Sequence, residues 1–252
     1  MNSRSINRTI MKKTFIIIIG LLIASCSKNA PDLMELAQLS LDQNEEDKAI
    51  KNLDLLISKF PEDSLASLAQ YKLVNIYKNW KHDPKIVAEA LDKTVKNYPG
   101  TIQAKQAAKE IAGFPEWIIN KSETLRKRKL TKESINNLSY MVKHYANNIL
   151  AAKAQYIIGD IYMNDLRDFE KALTEYRLVL NDHKGSKEEA LAQFMIGYIY
   201  ANVLKDFDKA RSEYQVFLDR FPKHELYPSV KFEINHLGKD INEIPALKHI
   251  TS

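Results

Sequence analysis

The chain has 252 residues, of which 37 are Lys or Arg and 32 are Asp or Glu, giving a formal net charge of +5. A single cysteine excludes a disulfide framework. Seven glycines in the whole chain, with no alternating β-branched runs joined by hairpin turns, argue against a sheet protein.

The first 25 residues contain four of the basic residues, Arg4, Arg8, Lys12 and Lys13, and none of the acidic ones. Past them 33 cations face 32 anions, a net of +1, so the basic balance carries no argument for nucleic acid binding. The apolar run Phe15 to Ile23 is too short for a bilayer span of ~20 residues. A basic start, a short apolar run and then small residues form a secretory signal peptide, expected over 1–25. Met11-Lys12-Lys13 offers a second start. The run ends in Ile23-Ala24-Ser25-Cys26, which resembles the lipobox of bacterial lipoproteins. The resemblance implies cleavage before Cys26 and lipid on that thiol, the most nucleophilic side chain available. Ser27, rather than Asp, after the cysteine implies the outer membrane, facing the periplasm, by the sorting rule of enteric bacteria. Residues 26–31 then form the lipidated Cys and a short linker reaching at most ~17 Å, so the folded part should ride close to the membrane.

From residue 32 on the pattern is helical. Two stretches nearly repeat at an offset of 38. Ala154-Gln155-Tyr156 returns as Ala192-Gln193-Phe194, Ile158-Gly159 as Ile196-Gly197, Asp168-Phe169 as Asp206-Phe207, Lys171-Ala172 as Lys209-Ala210 and Glu175-Tyr176 as Glu213-Tyr214. A fixed period of this size marks stacked helical units. Helix pairs end on Phe60-Pro61, Tyr98-Pro99 and Phe221-Pro222, with Tyr145 and His183 in the same phase, at spacings of 38, 47, 38 and 38. Proline cannot continue a helix and disfavours helical geometry before it. Eleven residues ahead of each stop stands a smaller residue (Ala49, Val87, Ser134, Ala172, Ala210), and four residues later a large one (Leu53, Leu91, Leu138, Tyr176, Tyr214). The i, i+4 spacing puts both on one helix face, the first admitting a neighbouring helix and the second filling the layer. Gly159 and Gly197 are expected to allow close approach in the same way.

The third unit is nine residues longer and is interrupted at Gly113-Phe114-Pro115. Helices are expected over Ile102–Ala112 and Glu116–Lys127, dividing the array into an N-terminal lobe, 32–112, and a C-terminal lobe, 113–238. A final helix near 225–237 reads as a cap, and 239–252 as a tail.

These features resemble the tetratricopeptide repeat. Gly159, Tyr162, Ala172 and Tyr176 follow its order of small and aromatic residues, as do Gly197, Tyr200, Ala210, Tyr214 and Pro222; the period of 38 departs from its 34. The resemblance implies an all-α solenoid of about five helical hairpins plus a capping helix, and a non-enzymatic protein–protein interaction scaffold. It also implies that the first helix of each pair lines the partner-binding face, which nominates Tyr71, Asn75 and Lys78; Tyr156, Asp160 and Met163; and Phe194, Tyr198 and Ala201. Tyr156 and Phe194 read either as interface anchors or as packing between units. Tyr198 stands where the previous unit has Asp160.

The lipid signal, short linker and five repeats together resemble the D component of the β-barrel assembly machinery, implying envelope partners in outer-membrane protein assembly. The pattern Asp168-Phe169-x-Lys171-Ala172 and its copy are similar to a Tol–Pal-associated cell-division family. A pilus or wall-hydrolase adaptor and, from another class, a wall-active enzyme are the remaining alternatives.

Motifs for chemistry are absent: no Gly-rich phosphate loop, no H-E-x-x-H, no G-x-S-x-G. The six histidines show no metal-ligand spacing, and no cofactor, metal or catalytic residue is expected. Asn79, Asn164 and Asn202 share one phase and read as left-handed helix ends or as an amide ladder along the groove. The run Arg126-Lys127-Arg128-Lys129 reads as a solvated helix end or as a contact to acidic partners or head groups.

Overall fold

The computed structural model describes residues 28–239; the expected signal over 1–25, Cys26, Ser27 and the tail beyond 239 lie outside the described residues. Among the described residues there are twelve α-helices, three π-helical turns and no strand, the all-α arrangement of repeated hairpins that the periodicity predicts. Backbone contacts divide them into two units, 28–76 with 93–107, and 77–92 with 108–239.

In the first unit, α1 (Ala30–Asp42), α2 (Glu46–Lys59) and α3 (Ser64–Ile76) pack on one another. Helix α1 opens two residues earlier than expected, so Ala30 and Pro31 belong to its first turn and not to a linker. Proline fits there because its missing N–H would be unpaired anyway. Asn29 and Asp32 close a reciprocal capping box at 2.8 and 3.1 Å.

Helix α4 (Pro84–Asn97) contributes to both units. After α5 (Ile102–Ala112) come α6 (Phe114–Lys127), α7 (Thr131–His144), α8 (Leu150–Asp160), α9 (Phe169–Asp182), α10 (Glu188–Tyr198), α11 (Phe207–Arg220) and the cap α12 (Tyr227–His236). From α6 to α12 each helix packs on the next, and α6 also meets α8, and α8 meets α10. The first helices of successive hairpins therefore lie side by side. Helix α6 starts at Phe114 and not Glu116, because Pro115 is tolerated in a first turn where it would break a helix interior.

The second helices, α2, α4, α7, α9 and α11, are each 14 residues long and start at the expected spacings. The nine added residues of the third unit thus all precede α7. Every small and large residue named for these helices, from Ala49 and Leu53 to Ala210 and Tyr214, is fully buried. Ser134 is tolerated among them because its hydroxyl donates to the Ser122 carbonyl at 2.8 Å. The helix ends share one geometry at Phe60, Tyr145, His183 and Phe221, with φ between −132° and −124°. Proline follows only two of these four, so the ring residue marks the stop and proline reinforces it.

Two residues before each second helix the backbone turns left-handed, at Asn44, His82, Lys129, Arg167 and Lys205, with φ between 53° and 63°. Asn79, Asn164 and Asn202 do not make this turn. They lie three residues earlier, inside the π-helical turns Tyr77–Lys81, Ile161–Leu166 and Ile199–Val203. A π turn holds one more residue than an α turn, so each of these three bends is longer by a residue than an α turn would make it. Left-handed geometry costs a non-glycine residue about 1–2 kcal/mol, partly offset by the entropy glycine loses on folding. Arg167→Gly and Lys205→Gly should therefore each raise unfolding stability by about 0.5–1 kcal/mol. Denaturant titration reads this; a loss of stability would contradict it.

Candidate functional site: a groove on the first-helix face

A paired set of hydrogen bonds positions α8 and α10. Gln155 donates to the Glu175 carboxylate across the α8–α9 hairpin, and Gln193 donates to Glu213 at 2.7 Å across α10–α11. Arg177 reaches forward from α9 to the same Glu213, joining the two hairpins. Asp168 and Asp206 cap α9 and α11 by accepting from the backbone of Lys171 and Lys209, both at 3.1 Å. Each lysine also pairs with its aspartate, and its ammonium lies over a tyrosine of the preceding π turn, Lys171 over Tyr162 at 5.3 Å and Lys209 over Tyr200 at 5.4 Å. These lysine contacts hold both aspartate carboxyls below the usual carboxylate range.

Between α6, α8 and α10 lies a groove of about 620 Å³. The half-buried Tyr156 and Leu191 supply its apolar surface with the buried Ile157 at its floor, and Asp160 and Glu188 line the same side. Arg126 is not a solvated helix end. Its Nε donates to Asp165 at 2.5 Å and its guanidinium reaches the Asp160 carbonyl at 3.4 Å. Lys127 and Lys129 stand exposed at the α6 wall, and Lys153 pairs with Glu123 at 3.3 Å. A second hollow of about 420 Å³ shares Lys153 and runs along the α6–α8 seam past Pro115, Ile119 and the exposed Ile149.

Beneath the groove the two copies differ. Tyr176 donates to Asp160 at 2.8 Å. Burial pushes the Asp160 carboxyl above its ordinary range despite that bond, and pushes both the Tyr156 and Tyr176 phenols up. In the next hairpin Tyr198 replaces Asp160, and the fully buried Tyr214 hydroxyl has no hydrogen-bond partner. Tyr176→Phe should thus cost about 1–2 kcal/mol, while Tyr214→Phe should be neutral or stabilising, because it removes a polar group that is buried without a bond. Equal losses in chemical denaturation would contradict the assignment.

The structure brings only some of the expected site residues together. Tyr156 and Asp160 line the groove. Met163 is buried in the core with Ala172 and Tyr176, so its side chain fills the layer instead of facing a partner; Ala201 is likewise buried. Phe194 and Tyr198 sit 6.2 Å apart on α10, half-buried, with Phe194 stacked on Tyr214 at 6.0 Å. Tyr71 and Asn75 lie on α3 in the first unit, half-buried and exposed respectively. Lys78, in the second unit, is already engaged: it pairs with Glu110 at 2.6 Å and lies 5.6 Å over the Trp117 ring. Ile157, Leu191 and Glu188 were not among the expected partner contacts. Their signal was register, since they flank the Tyr156 and Phe194 positions on adjacent first helices.

Residues 153–186 and 191–224 match the family model described as the tetratricopeptide repeat. The match is to these two hairpins, the closely duplicated pair. No curated protein matches the chain. Among solved structures it is similar to a tetratricopeptide repeat protein from Parabacteroides merdae, at 13% identity over 82% of this chain and 73% of that one, with a TM-score of 0.34. Tetratricopeptide repeats imply protein partners and a scaffold role. Among the described residues no cluster of His, Cys, Asp and Glu could hold a metal ion, and no helix is long and apolar enough to cross a membrane.

Proposed function

We propose that this chain is a docking scaffold without catalytic activity of its own, anchored to the outer membrane by lipid on Cys26 and facing the periplasm. The observation that carries the docking role is the groove between three successive first helices, framed by the two matched repeats. Its sides are apolar where the helices meet and charged at the edges, the composition of a protein-binding surface. The anchor rests on the sequence Ile23-Ala24-Ser25-Cys26 and on the signal-like segment before it.

Outer-membrane protein assembly is the process we assign, on the layout of lipid signal, short linker and five hairpins. The pattern Asp168-Phe169-x-Lys171-Ala172, which suggested a Tol–Pal role, is accounted for by capping, the lysine–tyrosine contact and core packing, and so favours no particular partner. Cross-linking in the native cell, followed by identification of the captured protein, tests the assignment. Capture of a barrel-assembly component is the expected result; capture of a Tol–Pal component, or of a cytoplasmic protein alone, would overturn it.

A further inference from the structure

Resting on the docking role proposed above, we infer that the groove selects a partner segment by a single lysine or arginine set between apolar residues, with Asp160 and Glu188 receiving the cation and Tyr156, Ile157 and Leu191 receiving its apolar neighbours.

The charges within the groove are unevenly matched. Asp165 takes the Nε of Arg126, and Glu123 takes Lys153. The half-buried Asp160 carboxylate accepts from the Tyr176 hydroxyl and feels the nearby Arg126 charge without a salt bridge to it, since Arg126 bonds its backbone carbonyl instead. Glu188, in the first turn of α10, has no ion-pair partner among the described residues. Burial is the main cause of the raised Tyr156 phenol, and both carboxylates lie close enough to add to it. Two under-neutralised carboxylates therefore flank an aromatic ring at an apolar surface. That combination suits a long cationic side chain, whose aliphatic stem covers the ring while its charged end reaches the carboxylates.

The opposite wall limits how basic the occupant can be. Lys127 and Lys129 are exposed there and have no ion-pair partner among the described residues. A polybasic run would meet their repulsion, whereas one cation held at the α8–α10 side would not. Apolar flanking residues are required because Ile157, Leu191 and the ring face of Tyr156 offer no hydrogen bonds.

The probes are three acetylated, amidated and fluorescein-labelled peptides, Gly-Leu-Phe-X-Leu-Phe-Gly, with X as Lys, Gln or Glu, titrated by fluorescence anisotropy against the full-length protein in detergent. The Lys peptide should bind about tenfold more tightly than the Gln peptide, and the Glu peptide more weakly than either. Glu188→Lys should reverse this order, and Tyr156→Ala should weaken all three, with melting curves showing that both variants fold. A reversal cannot come from a merely structural defect. Equal binding of the three peptides, an order unchanged by Glu188→Lys, or no binding of any of them overturns the charge selection. In each of those cases the docking role still stands if cross-links form from the groove in cells, and it falls separately if they do not.

Discussion

Gly197→Leu should destabilise the protein by about 1–3 kcal/mol or more, with Gly159→Leu close behind. A Cβ at Gly197 would stand 2.5 Å from the ring of Tyr214, and one at Gly159 would stand 2.7 Å from the ring of Tyr176. Both tyrosines are fully buried and packed into the core clusters of their hairpins, so neither ring can swing away cheaply. The same geometry predicts the reverse experiment. Tyr214→Ala alone should cost about 3–5 kcal/mol by leaving a cavity. Combined with Gly197→Leu it should cost clearly less than the two losses added, since the leucine occupies the space the ring vacates. Additive losses in denaturant titrations would mean that the glycine and the tyrosine do not share this contact.

Cys26→Ser should move the protein from the membrane fraction to the soluble fraction while leaving its melting curve unchanged. The first helix opens with its own capping box at Asn29, three residues past the cysteine, so its start is fixed without the thiol. No helix among the described residues could replace the anchor. Several acyl chains hold a protein firmly at a bilayer, whereas one chain binds only marginally, so loss of the lipidation site should act nearly as a switch. A Cys26→Ser protein that still sediments with membranes would remove lipid anchoring at Cys26 from the account.

Much of the fold was legible because its determinants are local and recur. The ring residues at 60, 98, 145, 183 and 221 and the buried pairs from Ala49/Leu53 to Ala210/Tyr214 fix the phase of all five second helices, even through the divergent third unit. Gly159 and Gly197 were readable as close-approach positions, but their partners were not, since the tyrosines lie 17 residues further on, across a turn. The left-handed turn residues escaped the sequence reading because none of the five is glycine. Lys129, Arg167 and Lys205 carry no compositional signal for φ above zero. Nor did the Gln155–Glu175 and Gln193–Glu213 bonds stand out, although all four residues belong to the duplicated set. Reading the duplicated polar residues as pairs would have found them. The groove itself was half legible. The resemblance to the tetratricopeptide repeat put Tyr156 and Asp160 on it, but the pairing of Arg126 with Asp165, and the lack of such a partner for Glu188 among the described residues, depend on distances between helices that no spacing in the sequence encodes.

The central claim is that partners dock on the first-helix face. A photo-cross-linking amino acid placed at Tyr156 or Leu191 in the groove, and separately at the exposed Thr174 or Val216 on second helices α9 and α11, tests it in living cells. Discrete cross-linked protein products from positions 156 and 191, with none from 174 and 216, are the predicted result. Products from 174 or 216 alone would place the docking surface on the other side of the hairpins and contradict the account.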